Sequence, residues 1–241
     1  MSKYYEDAST ALLKAFEINH VFPHMHSYEL YRKWLENVWA FLNAGHDLQS
    51  FREKLDKYNH KEGSEFGRLF NLYTDAVEQM PFRDILGEIF MKLDVNSVRS
   101  GQFFTPQPIA EMMAGMQFSR ESFEERVKDK GEVTVMDPAV GSGVMLLAFA
   151  KVVHDELGRP GVNKLRLYGM DIDERCVLMC RIQLRMNGLD AFGRMACLLN
   201  NMTEAKAVIT QPEAPDISNA VIFHSEDIEE VGNDCRQLAL L

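Results

Sequence analysis

The stretch from residue 133 to residue 143, Val-Thr-Val-Met-Asp-Pro-Ala-Val-Gly-Ser-Gly, constrains the fold more than any other part of this chain. Its first four residues suit a buried strand, and the Gly-Ser-Gly bend opens into an apolar-periodic run, 144–157, that predicts a helix. Glycine permits positive φ and lets a ligand approach the backbone. We therefore predict a strand, a tight turn and a helix, and we expect a bound group to meet the amides of the turn and the carboxylate of Asp137.

The turn differs from the loops that bind nucleotide phosphates. The chain contains no Gly-Lys dipeptide, and the two glycines of the turn do not extend to the dinucleotide-binding pattern. An acid beside the turn would also repel a pyrophosphate. The sequence therefore favours a ligand that carries a positive centre or an ammonium group.

A second strand is predicted over residues 164–170, and it ends at Asp171-Ile172-Asp173. A carboxylate at the end of this strand can accept both hydrogens of a ribose diol. An Asp-x-Asp at such a place can also cap the following helix, predicted over 174–186, and we assign the ribose to Asp171 and the cap to Asp173. The order strand, turn, helix, strand and acid predicts a doubly wound α/β cofactor-binding half.

We predict an N-terminal helical domain over residues 1–80. We predict a second, α/β domain with an acidic tail over residues 81–241. Apolar residues recur at helical spacing over 8–18, 28–42 and 66–77, with breaks at Phe22-Pro23, at 43–45 and at Gly63-Ser64. Trp34 and Trp39 have the spacing of core residues rather than of base-stacking residues.

The segments between and after the two strands give weaker patterns. We predict a helix over 83–92, a loop over 94–101 and a helix that begins with proline in its first turn near residue 108. Residues 121–132 form a charged helix or loop. Residues 191–199 form a strand or a short helix, 200–219 a long loop, and 220–224 a strand.

The composition is that of a cytoplasmic globular protein, with 46% hydrophobic residues, no apolar run long enough to cross a bilayer and no secretory signal. The net charge is −10, but residues 201–241 carry two basic and eight acidic groups, so the rest of the chain is close to neutral. We expect weak DNA binding by this chain alone. The four cysteines form no Cys-x-x-Cys pair, and we expect buried free thiols and no metal site.

Two motifs carry a family resemblance. The sequence Asp-Pro-Ala-Val-Gly-Ser-Gly at 137–143 resembles the cofactor loop of N6-adenine DNA methyltransferases, and Gly-Gln-Phe-Phe-Thr-Pro at 101–106 resembles their companion motif. The order and spacing are similar to those of the modification subunits of type I restriction-modification systems, and the resemblance runs roughly from residue 84 to residue 189. It implies a Rossmann-like methyltransferase fold, partial here, with S-adenosylmethionine as cofactor.

The resemblance also implies a set of cofactor-binding residues. Phe104 would line the site and Thr105 would contact the amino-acid end of the cofactor. Asp137 and the glycine turn would hold its methionine end, and Asp171 its ribose, while Asp227 would contact the adenine ring. The complete set is Phe104, Thr105, Pro106, Asp137, Pro138, Ala139, Gly141, Ser142, Gly143, Asp171, Ile172 and Asp227.

The catalytic motif of adenine methyltransferases, Asn/Asp/Ser-Pro-Pro-Tyr/Phe/Trp, has no match, because the chain contains no Pro-Pro and no Asn-Pro dipeptide. The catalytic residues therefore stay unassigned. The favoured hypothesis is a DNA methyltransferase linked to adenine-N6 methylation in restriction-modification. The alternatives are a catalytically inactive relative that acts through protein contacts, and a methyltransferase for small molecules or proteins. The resemblance implies DNA and specificity, modification or restriction subunits as partners. Whether the chain also forms a homo-oligomer is left open by the sequence.

Overall fold

The computed structural model describes residues 2–45, 47–93, 104–189, 195–199, 221–222 and 239–240. The chain divides into two compact units, residues 1–104 and residues 105–241. The sequence places this division near residue 80, whereas the structure places it after Phe104. The helix that follows residue 80 packs against helices that precede it.

The first unit is helical. Its elements are α1 (Ser2–Glu17), α2 (Ser27–Leu42), α3 (Leu48–Leu55), α4 (His60–Gln79) and α5 (Ile85–Leu93). The fully buried aromatic side chains of Phe16, Tyr31, Trp34 and Tyr73 form the centre of its core, with edge-on ring contacts between neighbours. Trp34 is thus a core residue, as its spacing predicts.

One predicted helix break in this unit is wrong. Helix α4 passes through Gly63-Ser64 without interruption, because it begins three residues earlier with a capping box. The Asn59 side chain accepts from the Glu62 amide, and the Glu62 carboxylate accepts from the Asn59 amide. Gly63 therefore falls in the first turn of the helix rather than in a connection. Helix α3 is a further element, one that the sequence pattern does not predict.

Helix α5 belongs to the first unit. It packs against α1 and α2, and the Tyr31 hydroxyl on α2 donates a 2.8 Å hydrogen bond to the buried carbonyl oxygen of Leu86. Ile85, Leu86 and Ile89 are almost fully buried. These contacts move the boundary between the units beyond the end of α5.

The second unit contains one sheet and its covering helices. The elements are α6 (Gln107–Gln117), α7 (Arg120–Lys130), β1 (Val133–Asp137), α8 (Val144–Val162), β2 (Leu165–Asp171), α9 (Glu174–Met186), β3 (Met195–Leu199), β4 (Val221–Ile222) and β5 (Ala239–Leu240). Strand order is β3-β2-β1-β4-β5. The first four strands are parallel, and β5 runs antiparallel to β4. The predicted α/β architecture is confirmed.

Local sequence accounts for most of these elements. Val133, Val135 and Asp137 are buried and alternate with half-buried residues along β1. The break predicted after residue 157 is present, since Gly158 has φ 64° and ψ −167° inside α8, although residues 159–162 form a further helical turn. Helix α9 has the predicted bounds. Of the helices in the described ranges, none combines the length and the apolar character that crossing a membrane requires.

Candidate cofactor site

Strand order brings the two predicted acids to one edge of the sheet. The chain moves from β1 to β2 to β3 in one direction, and β4 then adds on the other side of β1. The carboxyl end of β1 is therefore the point at which the winding reverses, where open α/β sheets form their ligand crevice. Asp137 ends β1, and Asp171 ends the adjacent parallel strand β2.

The turn after β1 is docked against the end of β2. The Val140 amide donates to the Met170 carbonyl oxygen at 2.8 Å, and the Gly141 amide donates to Oδ2 of Asp171 at 2.9 Å. Both glycines have positive φ, 52° at Gly141 and 97° at Gly143. These values are costly for residues that carry a Cβ, which explains the two glycines of the motif.

These bonds correct one expectation from the sequence. We expected the amides of the turn to meet a bound group, but the amides of Ala139, Val140, Gly141 and Gly143 all donate within the protein. Their acceptors are an oxygen of Asp137, the carbonyl oxygen of Met170, the carboxylate of Asp171 and the carbonyl oxygen of Val140. A ligand at this edge therefore meets carboxylate oxygens and exposed backbone rather than a nest of donors.

Asp171 joins the turn to the segment after β2. Its Oδ2 accepts from Gly141, and its Oδ1 accepts from the Asp173 amide at 2.8 Å. A carboxylate offers about four lone-pair positions, so roughly two stay available for a diol. The neighbouring Ile172 side chain is 77% exposed. The end of β2 thus presents acceptor oxygens beside an apolar surface.

Asp137 lies beneath the turn, with only 4% of its surface exposed. Burial raises the pKa of its carboxyl group to about 7, the hydrogen bond from the Ala139 amide opposes this rise, and the charge of Asp171 adds to it. Near neutral pH the carboxyl group is therefore divided between its two protonation states. A cation in the crevice would favour the ionised state.

Asp173 caps α9, as the sequence predicts. Its side chain accepts from the Arg175 amide at 2.9 Å and also pairs with the Arg175 guanidinium group. The predicted cap role of Asp173 is thus confirmed, and Asp171 instead accepts from the Gly141 amide of the glycine turn. The ribose role of Asp171 stays a prediction.

The other predicted residues are spread over the chain. Phe104 belongs to the first unit, where its ring lies 5.5 Å from that of Phe90. Thr105 and Pro106 immediately precede α6, which packs against α8, the helix that follows the turn. Asp227 lies outside the described residues. The cofactor roles of these residues stay predictions.

Within the turn itself, exposure differs between neighbours. Ala139 is exposed, Pro138 and Gly141 are half-buried, and Ser142 and Gly143 are buried. The solvent-facing part of the turn is therefore its first half. Its second half, which leads into α8, faces the interior of the unit.

Two residues of α9 that the sequence analysis does not assign to the site support the turn from behind. Gln183 Nε2 donates to the Ser142 carbonyl oxygen at 2.8 Å, and a Cβ added to Gly143 would lie 2.9 Å from Cys180 Sγ. The pattern of the sequence contains a signal for Gln183. Together with Cys176 and Cys180 it stands at i, i+4 and i+7 on the buried face of α9, where a carboxamide is unusual.

Comparison with protein families gives a match to the model described as N-6 DNA methylase. It spans residues 82–213, which is more than half of the chain. The match includes β1, the glycine turn, β2 and α9. It begins upstream of α5, within the first compact unit, so the matched residues belong to both units.

A curated relative is the type I restriction enzyme MpnII methylase subunit of Mycoplasma pneumoniae, which is 32% identical over 90 residues. These residues are 37% of this chain and 14% of the relative, so the chain matches a small part of that subunit.

Two solved structures are similar at low identity. A protein of Listeria monocytogenes described as a class I S-adenosylmethionine-dependent methyltransferase is 13% identical with a TM-score of 0.48, covering 98% of this chain and 66% of the other. A type I restriction-modification methyltransferase subunit of Streptococcus thermophilus is 15% identical with a TM-score of 0.40, covering 89% and 42%. The family assignment rests on the family model.

Proposed function

The chain belongs to the N-6 DNA methylase family, and we propose that its second unit is the S-adenosylmethionine-binding part of a DNA adenine-N6 methyltransferase. The observation that carries the proposal is the hydrogen bond from Gly141 to Asp171, which unites the glycine turn and the acid of the next strand in one site. The family match favours methylation over the catalytically inactive alternative.

The residues at the sheet edge fit this cofactor. S-adenosylmethionine carries a ribose diol, an adenine ring and two positive centres, the sulfonium and the ammonium group. Asp171 retains acceptor positions for the diol, and the exposed side chain of Ile172 offers an apolar surface to the ring. The buried carboxylate of Asp137 supplies negative charge below the turn. The scarcity of free turn amides also suits a cation better than a phosphate.

Each of these residues has a separate task in the proposed reaction. When bound, the cofactor would supply an electrophilic methyl group, carried on its sulfonium, for the N6 amine of adenine. Asp171 fixes the sugar and thereby the position of the sulfur. Asp137 favours the cationic cofactor over its neutral thioether product. The turn of residues 139–143 holds both acids in register.

The partners of the proposed enzyme follow from the relatives. The name of the Mycoplasma pneumoniae protein makes it one subunit of a type I restriction enzyme. We propose that this chain likewise acts on DNA together with other subunits.

Calorimetric titration of the chain with S-adenosylmethionine and S-adenosylhomocysteine tests the cofactor proposal. We expect binding by the wild type and a loss of roughly tenfold or more in Asp171→Asn, because a hydrogen bond to a charged group contributes about 1.5–3 kcal/mol. Asp173→Asn is the matched control, since it stands two residues away at the same strand end but faces Arg175. It should bind like the wild type.

Two outcomes would contradict the proposal. If the folded wild-type chain bound neither compound, the proposed cofactor site would be contradicted. Equal losses in the two variants would show that the strand end is merely destabilised, without a specific contact from Asp171. If binding is present, transfer of a labelled methyl group to adenine in DNA, with candidate partner subunits added, tests the reaction itself.

A further inference from the structure

The Ser142–Gly143 peptide group is held at both of its ends. Its N–H donates to the Val140 carbonyl oxygen at 2.8 Å, within the turn. Its carbonyl oxygen accepts from Gln183 Nε2 at 2.8 Å, across 41 residues of sequence. The first bond is local and the second is tertiary, so α9 controls one end of a peptide group in the glycine turn.

The carboxamide of Gln183 is a buried polar group on an apolar face of α9. It is 1% exposed on a helix face that otherwise buries the side chains of Cys176 and Cys180. A buried carboxamide costs free energy unless hydrogen bonds offset its loss of hydration. Its Nε2 donates to a carbonyl that lies before the first residue of α8, outside the helical ladder of that helix.

Glycine makes this restraint necessary. Gly143 has φ 97°, and glycine has access to both signs of φ, so the peptide group before it can rotate about its neighbouring bonds at little steric cost. An alternative orientation would break both hydrogen bonds of the Ser142–Gly143 peptide. The backbone of Gly143 also lies directly against Cys180, so one turn of α9 supports the turn by packing and by a hydrogen bond.

We propose that Gln183 is a positioning residue of the methyl-donor site. Its side chain fixes the orientation of the Ser142–Gly143 peptide and thereby holds the turn in the conformation that accepts the cofactor. The cofactor part of this inference rests on the proposed function, whereas the restraint on the turn can be measured without any ligand.

The experiment compares the wild type with Gln183→Met, which keeps the length of the side chain and removes the donor. Ile182→Val is the control, because its side chain leaves α9 about 100° around the axis from that of Gln183 and its own loss of a methylene weakens the same helix. Two readouts are measured for each protein: hydrogen exchange of the amides of residues 141–145 in the ligand-free chain, and affinity for S-adenosylmethionine.

We expect faster exchange at the turn and about tenfold weaker cofactor binding in Gln183→Met, a loss that corresponds to one net hydrogen bond. Ile182→Val should leave both close to wild type, even if its melting temperature falls as far. Equal exchange at the turn in the two variants would overturn the inference. So would faster exchange in Gln183→Met with unchanged cofactor affinity. If the wild type binds no cofactor, the proposed function fails, and the exchange data still decide whether Gln183 restrains the turn.

Discussion

The backbone N–H of Gly141 donates a 2.9 Å hydrogen bond to Oδ2 of Asp171, thirty residues further along the chain. This bond ties the turn after β1 to the end of β2. The other oxygen of the same carboxylate accepts from the Asp173 amide. One side chain therefore fixes the backbone of both the turn after β1 and the segment after β2.

Replacing Asp171 should destabilise the second unit as well as the cofactor site. Asp171→Ala leaves two backbone amides without their acceptors, and we expect the free energy of unfolding to fall by about 1–3 kcal/mol. Urea denaturation followed by circular dichroism measures this loss. Ile172→Ala is the control, since the Ile172 side chain is largely exposed. A loss as large in Ile172→Ala would contradict the role given to the Asp171 carboxylate.

The raised pKa of Asp137 predicts a pH dependence of stability. Its carboxyl group has a pKa of about 7 in the folded chain, against an ordinary value of 3.8. Between pH 3.8 and pH 7 the folded chain keeps a proton on Asp137 that the unfolded chain has released. The free energy of unfolding therefore falls as the pH rises, and it becomes independent of this group above about pH 7. Between pH 5 and pH 7 the wild type should lose about 2–3 kcal/mol more than Asp137→Asn, at about 1.4 kcal/mol per pH unit.

The measurement is the free energy of unfolding of both proteins across this pH range. Subtracting the curve of Asp137→Asn removes the titration of the other groups. Parallel curves for the two proteins would mean that the pKa of Asp137 is not raised by its burial.

Cofactor affinity should depend on pH in the opposite sense. The cationic cofactor favours the ionised form of Asp137, so binding below pH 7 must displace a proton. We expect affinity to decline by up to about tenfold per pH unit below that value. Asp137→Asn should bind more weakly at pH 8 and show little of this slope. Calorimetry in two buffers of different ionisation enthalpy would detect the released proton; a wild type that releases none between pH 6 and pH 7 contradicts the prediction.

Gly143→Ala should be strongly destabilising for two separable reasons. The residue has φ 97°, and its new Cβ would lie 2.9 Å from Cys180 Sγ. We expect a loss of about 2–4 kcal/mol, from the left-handed backbone and from overpacking. Adding Cys180→Ala removes the sulfur, so the double variant should lose less than the sum of the two single variants. Strictly additive losses would show that the contact with Cys180 contributes nothing.

A substitution at Gly169 on β2 tests the packing of the glycine turn against β2. Gly169 does not have a positive φ, so the substitution adds no backbone strain. A Cβ at this position would lie 2.9 Å from Cγ2 of Val140, whose own position is fixed by the bond from its amide to Met170. Gly169→Ala should therefore destabilise by about 1–3 kcal/mol. Adding Val140→Ala should recover part of this loss.

Gly115 on α6 supplies the matched control for that substitution. Nothing lies within 4 Å of a Cβ added there, so Gly115→Ala should stabilise by about 0.5–1 kcal/mol through helix propensity. The sign of the change thus separates a glycine required by packing from one that is not. Stabilisation by both substitutions would contradict the close packing of Val140 on β2.

The sequence by itself determined the local elements of the site. A run of strand-forming, apolar residues predicted β1, the two glycines predicted a turn with positive φ, and Asp-x-Asp predicted the end of β2 and the cap of α9. These features depend on residues within a few positions of one another, and the structure has them at the predicted places. The same local logic failed at Gly63, because the capping box that begins α4 outweighs the glycine that follows it.

The tertiary structure decided what these elements do to one another. Only the parallel pairing of β1 with β2 brings Asp171 to the Gly141 amide, and this bond occupies an amide that the sequence predicts to meet a ligand. Only the packing of α9 behind the turn places Gln183 on the Ser142 carbonyl. Burial, not residue type, sets the pKa of Asp137. Each effect depends on distances between residues that are remote in sequence, and hydrophobic and glycine patterns do not encode such distances.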